Sequence, residues 1–398
     1  MPQARIKKTK KGKSSGAFKE LTRQLFFMAL VLSVLSSAAA LAFSMIAYED
    51  VPLTFRELHD DVTKWRNRII ATSQLPISRY KDVSHVDLGG NRSIEIYFAP
   101  SPKISGKLSE FIGTAKNSID VCAYDINLSN VVYSLVAAKN RGVKIRVLTD
   151  SDNFAKQELK PIFKEKIPMR EDKRDGIMHN KFVIVDNNAV WTGSWNLTKN
   201  GSSKNDNNAL VLKSAALARN YAMEFNELWQ GIGGPDPASK RTRFPKVQIG
   251  DASFESYFAP EDDVMAKILK EVESAARSID VMAFAFTSPQ LAELLIAKAE
   301  KGVAVRCLLD PHQASNKFSR DEALSNSDVA LRLSENRSGR MHHKVIIIDG
   351  REVITGSFNF SSSADRKNDE NTLFIKSKPI AEIFSEEFNR CWRGIKGY

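Results

Sequence analysis

Two halves of this chain carry the same hydrophobic rhythm. Ile119–Tyr124 and Ile279–Phe284 are short apolar runs that suit buried strands. An amphipathic helical stretch follows each one, Asn130–Asn140 or Pro289–Lys301. A Gly-Val turn then leads into a second apolar run, Lys144–Thr149 or Ala304–Leu309. Strand, helix, strand at this spacing predicts a βαβ unit, so each half is expected to hold a sheet with a parallel core. Leu25–Ala47 is different in kind. It is a 23-residue run without a charge, and as a helix it would reach roughly 34 Å, enough to cross about 30 Å of hydrocarbon.

The shared rhythm extends to residue identity. Tyr97-Phe-Ala-Pro100 recurs as Tyr257-Phe-Ala-Pro260, and Ser118-Ile-Asp-Val121 as Ser278-Ile-Asp-Val281, both at an offset of 160. Three extra residues in the second copy then move the offset to 163. It holds there from Met178-His179 against Met341-His342 to the Phe-Asn and Trp positions near the end of each copy. A register kept over that distance marks a duplicated domain. The expected organisation is a basic tail at 1–24, an apolar segment at 25–47, a partly helical lead-in at 48–90, a first lobe at 91–234, a linker at 235–250 and a second lobe at 251–398. The fold class is α/β, two lobes related by a pseudo-twofold axis, each a mixed sheet flanked by helices.

Charge changes the picture only locally. Of the net +11, +7 lies in residues 1–23, which leaves +4 for the remaining 375. Cations before Leu25–Ala47 and Glu49-Asp50 after it predict a cytoplasmic tail, a transmembrane anchor and a catalytic region on the other side of the membrane. Ala40-Leu41-Ala42 offers a signal-peptidase pattern, so a cleaved signal is the alternative. Cys122, Cys307 and Cys391 form neither a disulfide framework nor a zinc spacing, and no metal or cofactor is expected. Cys122 and Cys307 fall within expected strands and read as small core residues. His59, His85 and His312 are isolated and read as surface residues.

The chemistry lies in two matched segments. His179-Asn-Lys181 leads through an apolar run to Asp186, Gly193-Ser194 and Asn196. His342-His-Lys344 leads in the same way to Asp349, Gly356-Ser357 and Asn359. Residues two apart on a strand share a face, so His179 projects with Lys181 and His342 with Lys344, while Asn180 and His343 point away. Brought together, the two sets give two imidazoles, two ammonium groups and two amides around one pocket. Lysines and amide donors suit a phosphoryl group that gains charge in the transition state. One imidazole can attack phosphorus while the other protonates the leaving oxygen. Ser194 and Ser357 are counted with Asn196 and Asn359 as phosphate ligands. Asp186 and Asp349 complete the motif, although strand-end positions suit a supporting role.

These residues resemble the duplicated His-Lys-Asp motifs of the phospholipase D superfamily, over residues 90–398. The resemblance implies a two-lobed α/β fold, an active site at the lobe interface and a ping-pong route through a phosphohistidine. Lys367-Asn-Asp-Glu370-Asn after Asn359-Phe-Ser is similar to the bacterial endonuclease branch, so the expected substrate is a nucleic acid, with a membrane phospholipid as the alternative. Glu370 has Asn207 as its counterpart in the first copy. In that branch the glutamate is expected to hold a histidine's second nitrogen. It is assigned here to His342 as general acid, with His179 as nucleophile. A phospholipid substrate would need an apolar lip beside the pocket, for which Trp191, Trp195, Phe358 and Phe360 are the candidates. The sequons Asn196-Leu-Thr198 and Asn359-Phe-Ser361 favour a bacterial envelope over an endoplasmic-reticulum lumen.

Overall fold

The computed structural model describes residues 83–90 and 92–394. The basic tail and Leu25–Ala47 lie outside the described residues. Among those described, no helix is long and apolar enough to cross a membrane.

Each lobe is an eight-stranded mixed sheet, and the two sheets have the same strand order. Lobe 1 contains β1 (Val83–Asp87), β2 (Ser93–Ala99), β3 (Ser118–Ala123), β4 (Lys144–Asp150), β5 (Met169–Asp172), β6 (Lys181–Val185), β7 (Ala189–Gly193) and β8 (Asn207–Lys213), ordered β1-β2-β8-β7-β6-β3-β4-β5. Lobe 2 contains β9 (Lys246–Ile249), β10 (Ala252–Ala259), β11 (Ser278–Ala283), β12 (Ala304–Leu309), β13 (Ala330–Leu333), β14 (Lys344–Ile348), β15 (Glu352–Gly356) and β16 (Glu370–Lys376). The expected βαβ units are present, β3 and β4 being joined through the helix Ser129–Asn140 and β11 and β12 through Pro289–Glu300. Only β3-β4-β5 and β11-β12-β13 run parallel; the other pairings are antiparallel. The parallel part is thus one flank of each sheet rather than its whole core.

Two boundaries need correction. Val83–Asp87, assigned to the lead-in, pairs with β2 as the edge strand of lobe 1. Lys246–Ile249, assigned to the linker, pairs with β10 as the edge strand of lobe 2. Both are short and partly exposed, so they lack the unbroken apolar run that marks a central strand. Their turn glycines, Gly90 and Gly250, keep the offset of 160 and were the available signal.

Three hydrophobic cores follow from this arrangement. Two are private to a lobe, with residues such as Leu108, Val131 and Trp191 in the first and Ile268, Leu295 and Phe360 in the second. The third is shared. It joins the inner faces of both sheets to α1 (Ala215–Trp229) and α2 (Lys378–Trp392), through Tyr221 and Phe225 on one and Phe384 and Phe388 on the other. At about 1.5–3 kcal/mol for each fully buried large apolar side chain, this core commits the lobes to one another. Cys122 and Cys307 are wholly buried, as expected.

Backbone bonds stitch the same seam. The amide of His179 donates to Asp369 O and that of His342 to Asp206 O, each at 2.9 Å. Gly176 and Gly339 make the crossings possible, because a Cβ on either would lie 2.0 Å from the carbonyl oxygen of Lys367 or Lys204. A buried ion pair secures one side. Arg390 of α2 donates to Glu387 Oε2 at 2.7 Å and to Asp206 Oδ1, on the other lobe, at 2.6 Å. Replacing Arg390 with Ala strands two buried carboxylates, so a loss of about 3–5 kcal/mol is expected in urea unfolding. A loss below about 1 kcal/mol would mean that water reaches this seam.

Candidate active site

Each His-x-Lys segment enters its strand at the lobe seam. Lys181 and Lys344 begin β6 and β14, and the histidine two residues earlier shares their face. Lys181 Nζ donates to His179 O at 2.6 Å, and Lys344 Nζ donates to His342 O at 2.9 Å. Tyr124 meets the edge of His179 with ring centroids 5.1 Å apart, and Phe284 lies 4.8 Å from His342 in the matching position. Asn180 and His343 point to the opposite side, as the strand period requires, where they reach Glu224 and Glu387.

The histidine supports cross between lobes. His179 Nδ1 lies 2.7 Å from Glu370 Oε2, and His342 Nδ1 lies 2.8 Å from Asn207 Oδ1. The assignment of Glu370 to His342 is therefore wrong. Proximity along the chain suggested a partner in the same copy, but β16 delivers Glu370 across the seam to the histidine of lobe 1. Asn207, which the sequence offered only as the counterpart of Glu370, supports His342. Its Nδ2 donates to the carbonyls of Gly201 and Asn205, which turns Oδ1 toward the imidazole. Both histidines thus carry the proton on Nδ1 and keep Nε2 free.

Ser194 and Ser357 also require correction. Ser357 Oγ donates to Glu370 Oε2 at 2.6 Å, and Ser194 Oγ donates to Asn207 Oδ1 at 3.2 Å. Each hydroxyl also accepts a backbone N–H, from Asn371 and Asn208 respectively. The serines hold the residues that hold the histidines; they are not phosphate ligands. Gly193 and Gly356 before them have φ of 149° and 154°, and a Cβ there would strike the carbonyls of Asn208 and Asn371. The Gly-Ser pair is therefore a packing requirement of the turn.

Asp186 and Asp349 stand at the far ends of β6 and β14. Asp186 accepts the amides of Lys116, Asn117 and Ser118, and Asp349 accepts those of Ala276, Arg277 and Ser278. Partial burial works against their ionisation, but three backbone donors outweigh it and hold each carboxyl below the usual range. They clamp the loop before β3 or β11 and take no part in the pocket. Asn196 and Asn359 remain candidates for phosphate contact. Their Oδ1 atoms are buried without a hydrogen-bond partner, one in each lobe, and since an amide oxygen cannot bond a phosphate oxygen, any phosphate contact falls to Nδ2.

The electrostatics favour an anion. Burial pushes the His179 imidazole down from its ordinary 6.5 to about 4, with Glu370 opposing and Lys181 and Lys344 assisting. Burial likewise brings Lys181 to about 7, and burial with neighbouring cations drives His342 and Lys344 well down. Glu370 stays ionised despite burial because His179 and Lys181 stabilise its charge. Four bases crowd around one carboxylate, and a phosphoryl anion would relieve their mutual repulsion. One further cluster, His343, Glu387 and Cys391, has metal-like spacing. Arg390 fills it, bonding both Glu387 oxygens and lying 3.0 Å from Cys391 Sγ.

Fold and site together define a two-lobed phosphodiesterase with paired histidines and lysines. The family model described as "Cardiolipin synthase, PLD-like domain" matches residues 108–229 and 268–392, and the chain belongs to that family within the phospholipase D superfamily. A phospholipase D of Rickettsia prowazekii is 33% identical over 141 residues, 35% of this chain and 68% of that protein. A mitochondrial cardiolipin hydrolase of Xenopus laevis is 34% identical over 131 residues, 33% of this chain and 62% of that protein. Each match is thus about as long as one lobe and spans about two thirds of the relative. The solved phosphatidylserine synthase of Haemophilus influenzae shares the fold, with a TM-score of 0.59 over 82% of this chain and 90% of its own at 14% identity.

Two measurements follow. Between pH 6.5 and about 4 the unfolded chain protonates the His179 imidazole while the folded chain does not, so this group removes stability as pH falls through that window. Nitrogen-15 NMR should show His179 neutral with Nδ1–H at pH 6, and inorganic phosphate should raise its midpoint. A doubly protonated ring at pH 6 without ligand would contradict the burial argument. Asp349→Asn should lower stability by about 1 kcal/mol or more, through weaker bonds to three amides, with kcat of the folded protein retained; a collapse of kcat in folded protein would return Asp349 to the pocket.

Proposed function

We propose that this chain hydrolyses nucleic-acid phosphodiesters through a phosphohistidine on His179, with His342 as the general acid. Attack by Nε2 of His179 leaves a cationic phosphoimidazolium, which the Glu370 carboxylate at its Nδ1 stabilises. His342, which takes up a proton on Nε2 from solvent as the phosphodiester anion binds, gives it to the departing oxygen, and its amide partner Asn207 offers no full charge to hold that proton back. Water, deprotonated by His342, then displaces the phosphoryl group and restores His179. Lys181, Lys344, Asn196 and Asn359 would surround the phosphoryl oxygens and balance their charge. Glu370 thus supports the nucleophile rather than the acid.

The fate of the aromatic candidates carries the choice of nucleic acid over lipid. Trp191, Trp195, Phe358 and Phe360 are 1%, 1%, 2% and 1% exposed, so each is packed in a lobe core and none forms an apolar lip. The seam loops instead present exposed cations, Lys204 from lobe 1 and Arg337 and Lys367 from lobe 2, while Lys173 is paired with Glu171. Such a rim suits a polyanionic strand. A phospholipid substrate is the second reading, supported by the names of the two relatives. Anchorage through Leu25–Ala47, with the catalytic region on the non-cytoplasmic side of a bacterial envelope, completes the proposal and suits either substrate.

The test offers the full chain labelled single-stranded DNA and phosphatidylcholine vesicles in parallel, in EDTA, beside His179→Ala and His342→Ala. DNA cleavage that falls at least a thousandfold in both variants, with phosphoenzyme mapping to His179, is the expected result. Vesicle hydrolysis with DNA untouched would replace the nucleic acid by lipid, and label on His342 would exchange the two roles.

A further inference from the structure

The loops that follow the fourth strand of each sheet break the molecular pseudo-symmetry. In lobe 2 the loop Pro311–Arg320 leaves β12 at Asp310, whose Oδ2 accepts the amide of Met341 at 3.0 Å, one residue before His342. It returns at Arg320, whose amide donates to Phe286 O. Phe286 in turn packs on Phe360, the neighbour of Asn359. Both ends of the loop are therefore fastened to segments that build the pocket.

Its tip holds Phe318 out into solvent at 60% exposure. The turn is ordered, with Phe318 N donating to Asn316 Oδ1 at 3.0 Å and Ser319 N to Asn316 O at 2.8 Å. Lys317 Nζ sits over the ring, 4.9 Å from its centroid. The lobe 1 loop is closed by comparison. There Phe154 packs edge-on against Phe163 at 5.2 Å, and Lys156 is neutralised by Asp125. A turn that fixes an aromatic ring in water leaves its faces open to a flat partner.

We infer that Phe318 and Lys317 form a stacking subsite that receives an unpaired base of a single-stranded nucleic acid, with Lys317 meeting an adjacent backbone phosphate. The inference rests on the nuclease reading and deepens it. The ring offers a base its π-face, which a base presents only when it is not already stacked within a duplex. The Lys317 ammonium, which lies over one face of the ring, complements the phosphate that accompanies every base and leaves the base the other face. A phosphodiester without a base gains nothing from the ring.

The test compares an oligothymidylate of about 12 nucleotides with an abasic oligomer of the same length, by initial rates with the full chain in EDTA. Phe318→Ala should raise KM for oligothymidylate about tenfold with kcat retained, and Phe318→Trp should restore it. KM for the abasic oligomer should be unchanged by either substitution. Should the wild-type chain cleave both oligomers and Phe318→Ala shift neither KM, the stacking subsite is overturned while the nuclease reading stands. Should it cleave neither oligomer yet hydrolyse phosphatidylcholine vesicles, the nuclease reading falls and the subsite with it.

Discussion

The site depends on one constraint: each motif histidine takes its supporting acceptor from the opposite lobe. Glu370 crosses to His179 and Asn207 crosses to His342. A buried imidazole without an acceptor on Nδ1 loses both its tautomer and its orientation, and leaving that donor unmade costs about 1–3 kcal/mol. Neither lobe can therefore form a competent half-site alone. The shared core between the sheets, the backbone bonds to Asp369 and Asp206 and the Arg390 ion pair all act to keep that crossing in register.

Pseudo-symmetry supplies the frame, and departures from it supply the division of labour. A carboxylate stands behind one imidazole and an amide behind the other, so the same ring meets two different electrostatic settings. The asymmetry continues beneath the pocket. Lobe 2 pairs His343 with Glu387 and Arg390, whereas lobe 1 has Asn180, Glu224 and Glu227 at the equivalent positions. Without that guanidinium, burial pushes the Glu224 carboxyl well up. Both sides of the seam therefore carry an ion pair, Arg390 with Asp206 and Arg174 with Asp369, but only the first guanidinium also bonds the glutamate beneath the pocket.

The pocket itself is short of negative charge by design of its donors. Lys181, Lys344 and two imidazoles face one ionised carboxylate, and desolvation lowers the basicity of all four. Such a set is poised to take up protons as an anion arrives, which couples substrate binding to the charge state that the chemistry needs. It supplies positive charge through side chains fixed on rigid strands, so little reorganisation accompanies the reaction.

What the sequence determined by itself is considerable, and the limits have a physical cause. Periodicity and repeat exposed the duplicated α/β lobes, the βαβ units and the strand-borne His-x-Lys pairs, because these depend on local alternation and on identity at a fixed offset. It also placed Asn180 and His343 on the far face, which follows from the strand period alone. Partners across the seam were not legible. Glu370 lies 28 residues from His342 and 191 from His179, yet it bonds the latter, since contact is set by how two sheets dock rather than by distance along the chain. The same applies to Ser194, Ser357, Asp186 and Asp349, whose motif positions say that they matter but not to which neighbour. The edge strands Val83–Asp87 and Lys246–Ile249 escaped for a related reason: an edge strand is defined by the neighbour it pairs with, not by an apolar run of its own. Hydrophobic pattern writes the elements into the chain, while the pairing of buried polar atoms is decided only when the lobes close on each other.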